Sequence, residues 1–421
     1  MNTLYNLHTI LLLAVAAFST NSHAVDTKAR TTNYEYNAQG QLTKEIREPS
    51  VLSECLVTDY VYDTFGNRTS ASSKVCAGAS GSTAASAANP RANSSSFSAD
   101  GRFATGLTNA LNQSETRGFD GRFGVINSLT GPNGLTTVWQ MDEFGRKTQE
   151  LRADGTKTVW SYLRCGDTGA NCPATLGSHT VTWVMVENSY AVNQSINAPE
   201  RRQFYDQLGR LLRIQTEGFD TTGVVTPLWW QDTQYDEQGR VSRQSEWYSS
   251  TDTPVWQNYT YDVLGRMLSE SHPEKIGSTP TVATSSTTYA GLTTVSRNAN
   301  NQTKTTVKNA LGQVQSVTDS LGSTITYQYD ALGNLTQTNA AGSVTAMQYD
   351  LRGNKVAMQD PAMGSWTYAY NAYGELVSQR DSLSQSTALE YDSLGRLVKR
   401  VEPDLVSQWS YDLKFDATPC G

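Results

Sequence analysis

The sequence predicts an all-β fold, in which tandem β-hairpins join edge to edge into one long, curling antiparallel sheet. Three observations carry this reading. A tyrosine, an Asp or Asn after it and a glycine four residues on recur from Tyr36 to the C-terminus. Toward the C-terminus the recurring tyrosines Tyr329, Tyr349, Tyr370, Tyr391 and Tyr411 lie 20, 21, 21 and 20 residues apart, a fixed period of the kind that marks repeat architectures. Between the turns run short segments rich in Thr, Val, Tyr and Leu with partial alternation, such as Ser343-Val344-Thr345-Ala346-Met347-Gln348-Tyr349.

The unit has a direct physical meaning. Asp or Asn opening a turn and Gly three residues later suit a type I turn, with the side chain capping the turn's own backbone and glycine taking the left-handed exit. A second turn follows about halfway through most copies, at Asn339-Ala340-Ala341-Gly342, Asp360-Pro361-Ala362-Met363-Gly364 and Asp381-Ser382-Leu383-Ser384. Two turns per period leave two segments of roughly five to seven residues, the usual strand length. One hairpin alone is marginal in water, so neighbours must pair into a continuous sheet.

Taken in order, residues 1–24 have the form of an export signal. Ile10 to Phe18 is an apolar run too short to span a bilayer, and Ser22-His23-Ala24 fits small-x-small cleavage, although no Lys or Arg precedes the run. The expected location is outside the cytoplasm, in the periplasm, on the cell surface or extracellular. Residues 25–76 hold the first copies, at Tyr36 with Gly40 and at Tyr62-Asp63 with Gly66. Residues 77–96, rich in Ala, Ser, Gly and Asn, are expected to be an exposed, flexible insertion. From 97 to 421 the array resumes and becomes regular from about 308. Phe97, Phe119 and Met141 occupy the tyrosine slot, which implies an inward-packing side chain whose hydroxyl is dispensable. Plain copies follow at Tyr205-Asp206 with Gly209, Tyr235-Asp236 with Gly239 and Tyr261-Asp262 with Gly265. The regular copies are Tyr329-Asp330 with Gly333, Tyr349-Asp350 with Gly353, Tyr370 with Gly374 and Tyr391-Asp392 with Gly395, and the last, at Tyr411, decays before its glycine.

This recurrent Tyr-Asp-x-x-Gly-Arg pattern closely resembles the YD repeats of the RHS family, which includes bacterial Rhs toxins, cocoon-forming components of insecticidal toxin complexes and teneurins. The resemblance spans roughly residues 30–412. It implies hairpins coiled into an RHS-type shell that encloses an effector in the toxins and presents adhesive surfaces in teneurins. The sequence departs from the toxin pattern in having no core-associated motif and no effector domain after the repeats, and it breaks off in the incomplete repeat at Pro419-Cys420-Gly421. The expected product is therefore an open or partial shell, either a short member without cargo or the front part of a toxin-encapsulating protein. A missing C-terminal shell half is one expected partner. Open sheet edges near Tyr391–Tyr411 also invite self-association.

Chemistry is sparse. Past residue 24 only His179 and His272 remain, which leaves little from which to build Ser-His-Asp or Cys-His catalysis, so no enzyme is predicted. The turn carboxylates lack the alternating ligand spacing of a calcium loop, and no cysteine pair has zinc spacing, so neither metal nor cofactor is expected. Net charge is −7 with no basic stripe, which argues against nucleic acid, and no later stretch is apolar enough for a membrane span. Cys165 with Cys172 and Cys55 with Cys76 are the candidate disulfides, leaving Cys420 over. The arginines after glycine (Arg102, Arg146, Arg210, Arg240, Arg266, Arg396) are expected to pair with neighbouring turn carboxylates. Aromatics cluster at Trp229, Trp230, Trp247 and Trp256, the candidate ligand-binding residues for cell-surface glycans or envelope proteins. Adjacent strand residues face opposite ways, so Trp229 or Trp230 should point out of the core.

Overall fold

A computed structural model describes residues 30–76, 90–218, 228–276 and 279–412. The described residues contain strands and no helix, and thirty-two strands belong to one antiparallel sheet. Two further strands, Thr175–Leu176 and His179–Thr180, form a small separate pair. The terminal strands Thr32–Tyr36 and Val406–Gln408 each pair on one side among the described residues, so the sheet does not close into a barrel. No described helix is long and apolar enough to cross a membrane.

The tyrosine turn explains the period. At Asp262 the backbone N–H donates to the Arg266 carbonyl at 2.9 Å, and the Gly265 N–H donates to the Asp262 carbonyl at 3.0 Å. This is a type I turn closed by a left-handed glycine, with Gly265 at φ +80°. The extra residue makes a bulge, so that Tyr261 lies opposite Met267 while Thr260 lies opposite Ser269. The same slip occurs at Tyr36, Tyr62, Tyr205, Tyr235, Tyr349, Tyr370 and Tyr391, each opposite the residue two past its glycine. The turn between periods is more variable. Ala340 faces Ser343 across Ala341 and Gly342, both at positive φ (+52° and +91°), which is a two-residue primed turn.

The chain divides into two compact units. Unit 1 comprises residues 1–116 and 327–421, and unit 2 comprises residues 117–326. In unit 1 the described side chains are mostly half-buried, with Cys55 and Leu56 fully covered beside the Cys55–Cys76 disulfide. Residues 77–89 lie outside the described part, but Arg91–Phe97 is a strand paired with Arg68–Val75, so the expected insertion is shorter at its C-terminal end. Small serines and alanines suit close packing of these strands, which composition alone does not convey.

Unit 2 holds the hydrophobic core, a cluster of Ala170, Leu176, Val181, Val184, Val186, Phe204 and Leu212. The Cys165–Cys172 disulfide loop carries Ala170 onto this cluster, so the loop is a lid on the core. Trp183 stacks on Tyr205 with ring centroids 4.0 Å apart. Trp183–Tyr190 is a strand of the main sheet, and Thr180 belongs to the small pair. His272 and Pro273 lie within the strand Met267–Ile276. Its inner partner strand ends its pairing at Ser271, so Pro273 sits where the strand is paired on one side only and its missing N–H is tolerated.

Candidate functional site

The recurrent feature of the surface is a polar ladder built from the turn residues. In each Asp-type turn the carboxylate Oδ1 accepts two backbone N–H groups, as Asp262 does from Leu264 and Arg266 at 2.9 Å each. Oδ2 then takes the side chain five places into the turn. At Asp206, Asp236, Asp262 and Asp392 this donor is the arginine Nε, 2.7 Å away in each case. At Asp63, Asp330 and Asp350 the donor is an asparagine amide. Where the turn opens with Asn, the fifth residue becomes an acceptor: Asn37 donates to Gln41, Asn309 to Gln313 and Asn371 to Glu375. The two positions exchange donor and acceptor roles together. The arginines thus pair first with the carboxylate of their own turn, because the bulge brings the fifth residue back over the first, and Arg396 also reaches the neighbouring turn's Asp412 at 2.8 Å, the pairing expected from the sequence.

The same arginine reaches forward. Arg240 lies over the ring of Tyr261 at 4.7 Å and donates to the Asp262 carbonyl at 3.0 Å. Arg266 covers Tyr289, and Arg396 covers Tyr411, at 4.2 and 4.4 Å. The tyrosine hydroxyl reaches back. Tyr62 donates to the Leu42 carbonyl, Tyr235 to Leu211, Tyr261 to Val241 and Tyr391 to Leu376, all at 2.8–2.9 Å. Each slot tyrosine that does so ties one repeat to the one before it. Where it forms, the hydroxyl makes a bond that the expectation of a dispensable group did not include, and Phe and Met in the slot keep the packing but forgo it. Tyr261→Phe is expected to lower stability by about 0.5–1.5 kcal/mol, the net worth of such a bond, measured by the urea midpoint. An unchanged midpoint would show the hydroxyl to be idle.

Burial works against the charge on Asp142, Asp206, Asp236, Asp262 and Asp392. Their backbone and arginine donors outweigh it and hold these carboxyls below the usual range. Asp120, bound by the Arg122 side chain and N–H, is lowered to about 2. These lowered values stabilise the fold above the unfolded carboxyl pKa, about 3.9, and the contribution is lost as pH falls through the folded values. The urea midpoint should therefore drop between about pH 5 and pH 2, whereas a flat profile would mean that the ladder contributes nothing.

The aromatic cluster divides. Trp230 is covered on its face by Arg213 at 4.1 Å, meets Tyr248 edge-on and donates to Gln215 at 3.1 Å. Trp256 is covered by Arg243 at 4.3 Å. Trp229 and Trp247 are exposed, at 37% and 45%. Beneath Trp230 lies a buried polar knot. Arg213 binds both oxygens of Asp232 at 2.5 and 2.7 Å, and the Tyr248 hydroxyl donates to Asp232 Oδ2 at 2.7 Å. Burial, followed by the Asp232 bond and charge, pushes the Tyr248 phenol up to about 12. His179 takes a bond from Arg210 on Nδ1 at 3.2 Å and stands edge-on to Tyr235, as part of the packing. No group of His, Cys, Asp and Glu among the described residues could hold a metal ion. A shallow groove in unit 2 is lined by hydroxyl-bearing residues such as Ser285, Thr287 and Thr303 with Lys304, and offers no aromatic platform.

The profile of the family described as RHS Repeat matches residues 309–343 and 370–404. The chain carries RHS repeats in these two stretches. Its fold is similar to the crystal structure of TcdB2-TccC3-TEV, with TM-score 0.64 at 13% identity over 91% of this chain and 27% of that one. TcdB2-TccC3 without its hypervariable C-terminal region gives TM-score 0.64 at 12% identity, over 91% of this chain and 27% of that one. TcdB2-TccC3 itself gives 0.59 at 14%, over 89% and 24%. The chain thus spans about a quarter of the length of these solved structures. No curated protein matches it by sequence.

Two repeat slots escaped the sequence reading. Tyr162 is followed four residues later by Gly166, receives Arg146 over its ring at 4.2 Å and donates to the Lys147 carbonyl at 3.1 Å. Tyr289 receives Arg266 and donates to the Met267 carbonyl at 3.1 Å. The signal available for both was the preceding Gly-Arg, 16 and 23 residues upstream (Arg146 to Tyr162, Arg266 to Tyr289), and not the turn that follows.

Proposed function

We propose that the protein is an exported, non-catalytic RHS-repeat scaffold, a segment of shell-type wall whose role is structural. The observation that carries this reading is the ladder. The charged groups that recur at every turn, which would be the raw material of a catalytic or metal site, are committed to their own turn and to the next repeat's tyrosine. Export is supported by the apolar run before Ser22-His23-Ala24 and by the Cys55–Cys76 and Cys165–Cys172 disulfides, which persist in oxidising compartments. Because the chain spans about a quarter of the TcdB2-TccC3 structures, a further shell-forming segment is a fitting partner. Directing the chain to the periplasm of a test bacterium should leave growth unchanged and yield both disulfides by peptide mapping. Cell death on such expression would overturn the non-catalytic reading, and free thiols would overturn export. The exposure of Trp229 and Trp247 favours a second role, as a cell-surface module that stacks these rings on glycan or envelope polymers. Binding on a glycan array that survives Trp229→Ala with Trp247→Ala, or no binding at all, would remove it.

A further inference from the structure

Near-identical repeats raise a register problem. Any surface that docks on one repeat turn can dock one period away on the next, at nearly equal energy, unless something marks the correct copy. Unit 1 brings together segments remote in sequence, and its contacts show such a mark. Arg91 makes a two-pronged ion pair with Glu375, at 2.7 and 2.9 Å, across 284 residues of sequence. Its guanidinium lies 3.9 Å from the centre of the Tyr373 ring, and the Tyr373 hydroxyl donates to the Ser73 carbonyl at 3.0 Å. One period earlier, Arg30 donates to the Leu351 carbonyl.

The turn that receives Arg91 departs from the repeat at the positions used. Its sequence is Asn371-Ala372-Tyr373-Gly374-Glu375, against Asp350-Leu351-Arg352-Gly353-Asn354 before it and Asp392-Ser393-Leu394-Gly395-Arg396 after it. The carboxylate stands where the two flanking turns carry Asn354 and Arg396, and the aromatic ring stands where they carry Arg352 and Leu394. Asn371 replaces the usual aspartate and donates to Glu375 at 2.7 Å, so the acid is held by its own turn and does not repel it. A slip of one repeat toward the C-terminus would set Arg91 against Arg396 with Leu394 in place of the ring. A slip the other way would set it beside Arg352, with the neutral Asn354 in place of the acid. Both wrong registers meet an arginine, an attractive mark on one copy and repulsive marks on its neighbours.

We propose that Arg91 with Ser73 forms a recognition surface whose partner is the single repeat turn 371–375 of this chain, and that Tyr373 and Glu375 are the key selecting that turn against its neighbours. The pair is largely shielded from water, with side chains 19% and 12% exposed, so it is screened less than the turn pairs at the surface. Hydrogen exchange on the full chain tests it. Arg91→Glu and Glu375→Arg should each speed exchange of the amides in Arg91–Phe97 and of the turn 371–375 by about tenfold or more, as loss of a charge-assisted bond permits. The charge swap carrying both changes should return exchange to near the wild-type rate. Tyr373→Phe should give a smaller increase. Exchange of the amides in Trp183–Tyr190 of unit 2 serves as the folding control and should not move in any of these variants. Single variants with wild-type exchange, or a swap that stays as open as the singles, would overturn the proposal.

Discussion

Phe204→Ala is expected to lower stability by about 3–5 kcal/mol, the usual cost of emptying a well-packed aromatic site. Phe204 is 1% exposed and stands opposite Val184 in the sheet, with Leu212 at 0% in the same cluster. The size of the effect follows from how little else in the chain is buried. A single sheet of half-covered side chains has few sites where a whole ring leaves water. Here the disulfide loop and the small strand pair supply a second layer, bringing Ala170, Leu176 and Val181 over the sheet. The loop cannot collapse far into the space left, because Cys165 and Cys172 hold its ends, so the cavity term adds to the lost transfer energy. Urea unfolding followed by circular dichroism reports the transition. Val263→Ala, at a fully exposed turn position, should shift the same transition by less than about 0.5 kcal/mol. A shift of less than about 1 kcal/mol for Phe204→Ala would show that the cluster is not a core in the energetic sense.

The contrast between these two sites indicates what the sequence discloses and what it does not. The array was legible because its turn imposes residue types locally: a bulge needs glycine at Gly265, and two backbone N–H groups need an acceptor at Asp262. Those demands fall within five residues and repeat. The second layer over Phe204 was not legible, since the loop from Cys165 to Cys172 looks polar and exposed, and its one buried residue, Ala170, carries no signal of its own. The aromatic cluster was visible as composition, but not the arginines that cover Trp230 and Trp256, because strand pairing, not local spacing, places them. The bond from Tyr261 to the Val241 carbonyl was hidden by the occurrence of Phe and Met in the same slot. Arg91 and Glu375 could not be matched at all: an arginine and a glutamate far apart in a chain are unremarkable until the fold joins them.

Asp232→Ala should be as damaging as the loss of Phe204, at about 3–5 kcal/mol, for an electrostatic reason. The strand Leu228–Tyr235 forks, pairing with Val241–Ser245 along one part and with Tyr248–Ser249 along another. Asp232 lies at the fork, where its N–H donates to the Ser245 hydroxyl at 2.8 Å and its carboxylate gathers Arg213 and Tyr248. The Arg213 and Asp232 side chains are 12% and 11% exposed. Burial opposes the charge on Arg213, and the bond and charge of Asp232 more than restore it. Removing Asp232 leaves that guanidinium without its counter-charge, pressed against Trp230, and leaves the Tyr248 hydroxyl without an acceptor. Replacing both partners by apolar residues of similar size is a different experiment. Arg213→Met with Asp232→Leu removes the desolvation cost together with the attraction and should be neutral to within about 1–2 kcal/mol of wild type. The ordering distinguishes the explanations. If the double variant is as unstable as Asp232→Ala, the pair is what holds the fork. If it recovers, the single variant's loss came from the orphaned charge, and packing alone keeps Tyr248–Ser249 beside Trp229 and Trp230. The physics of buried ion pairs favours the second result, which would make this knot a device that selects the strand pairing more than one that adds to stability.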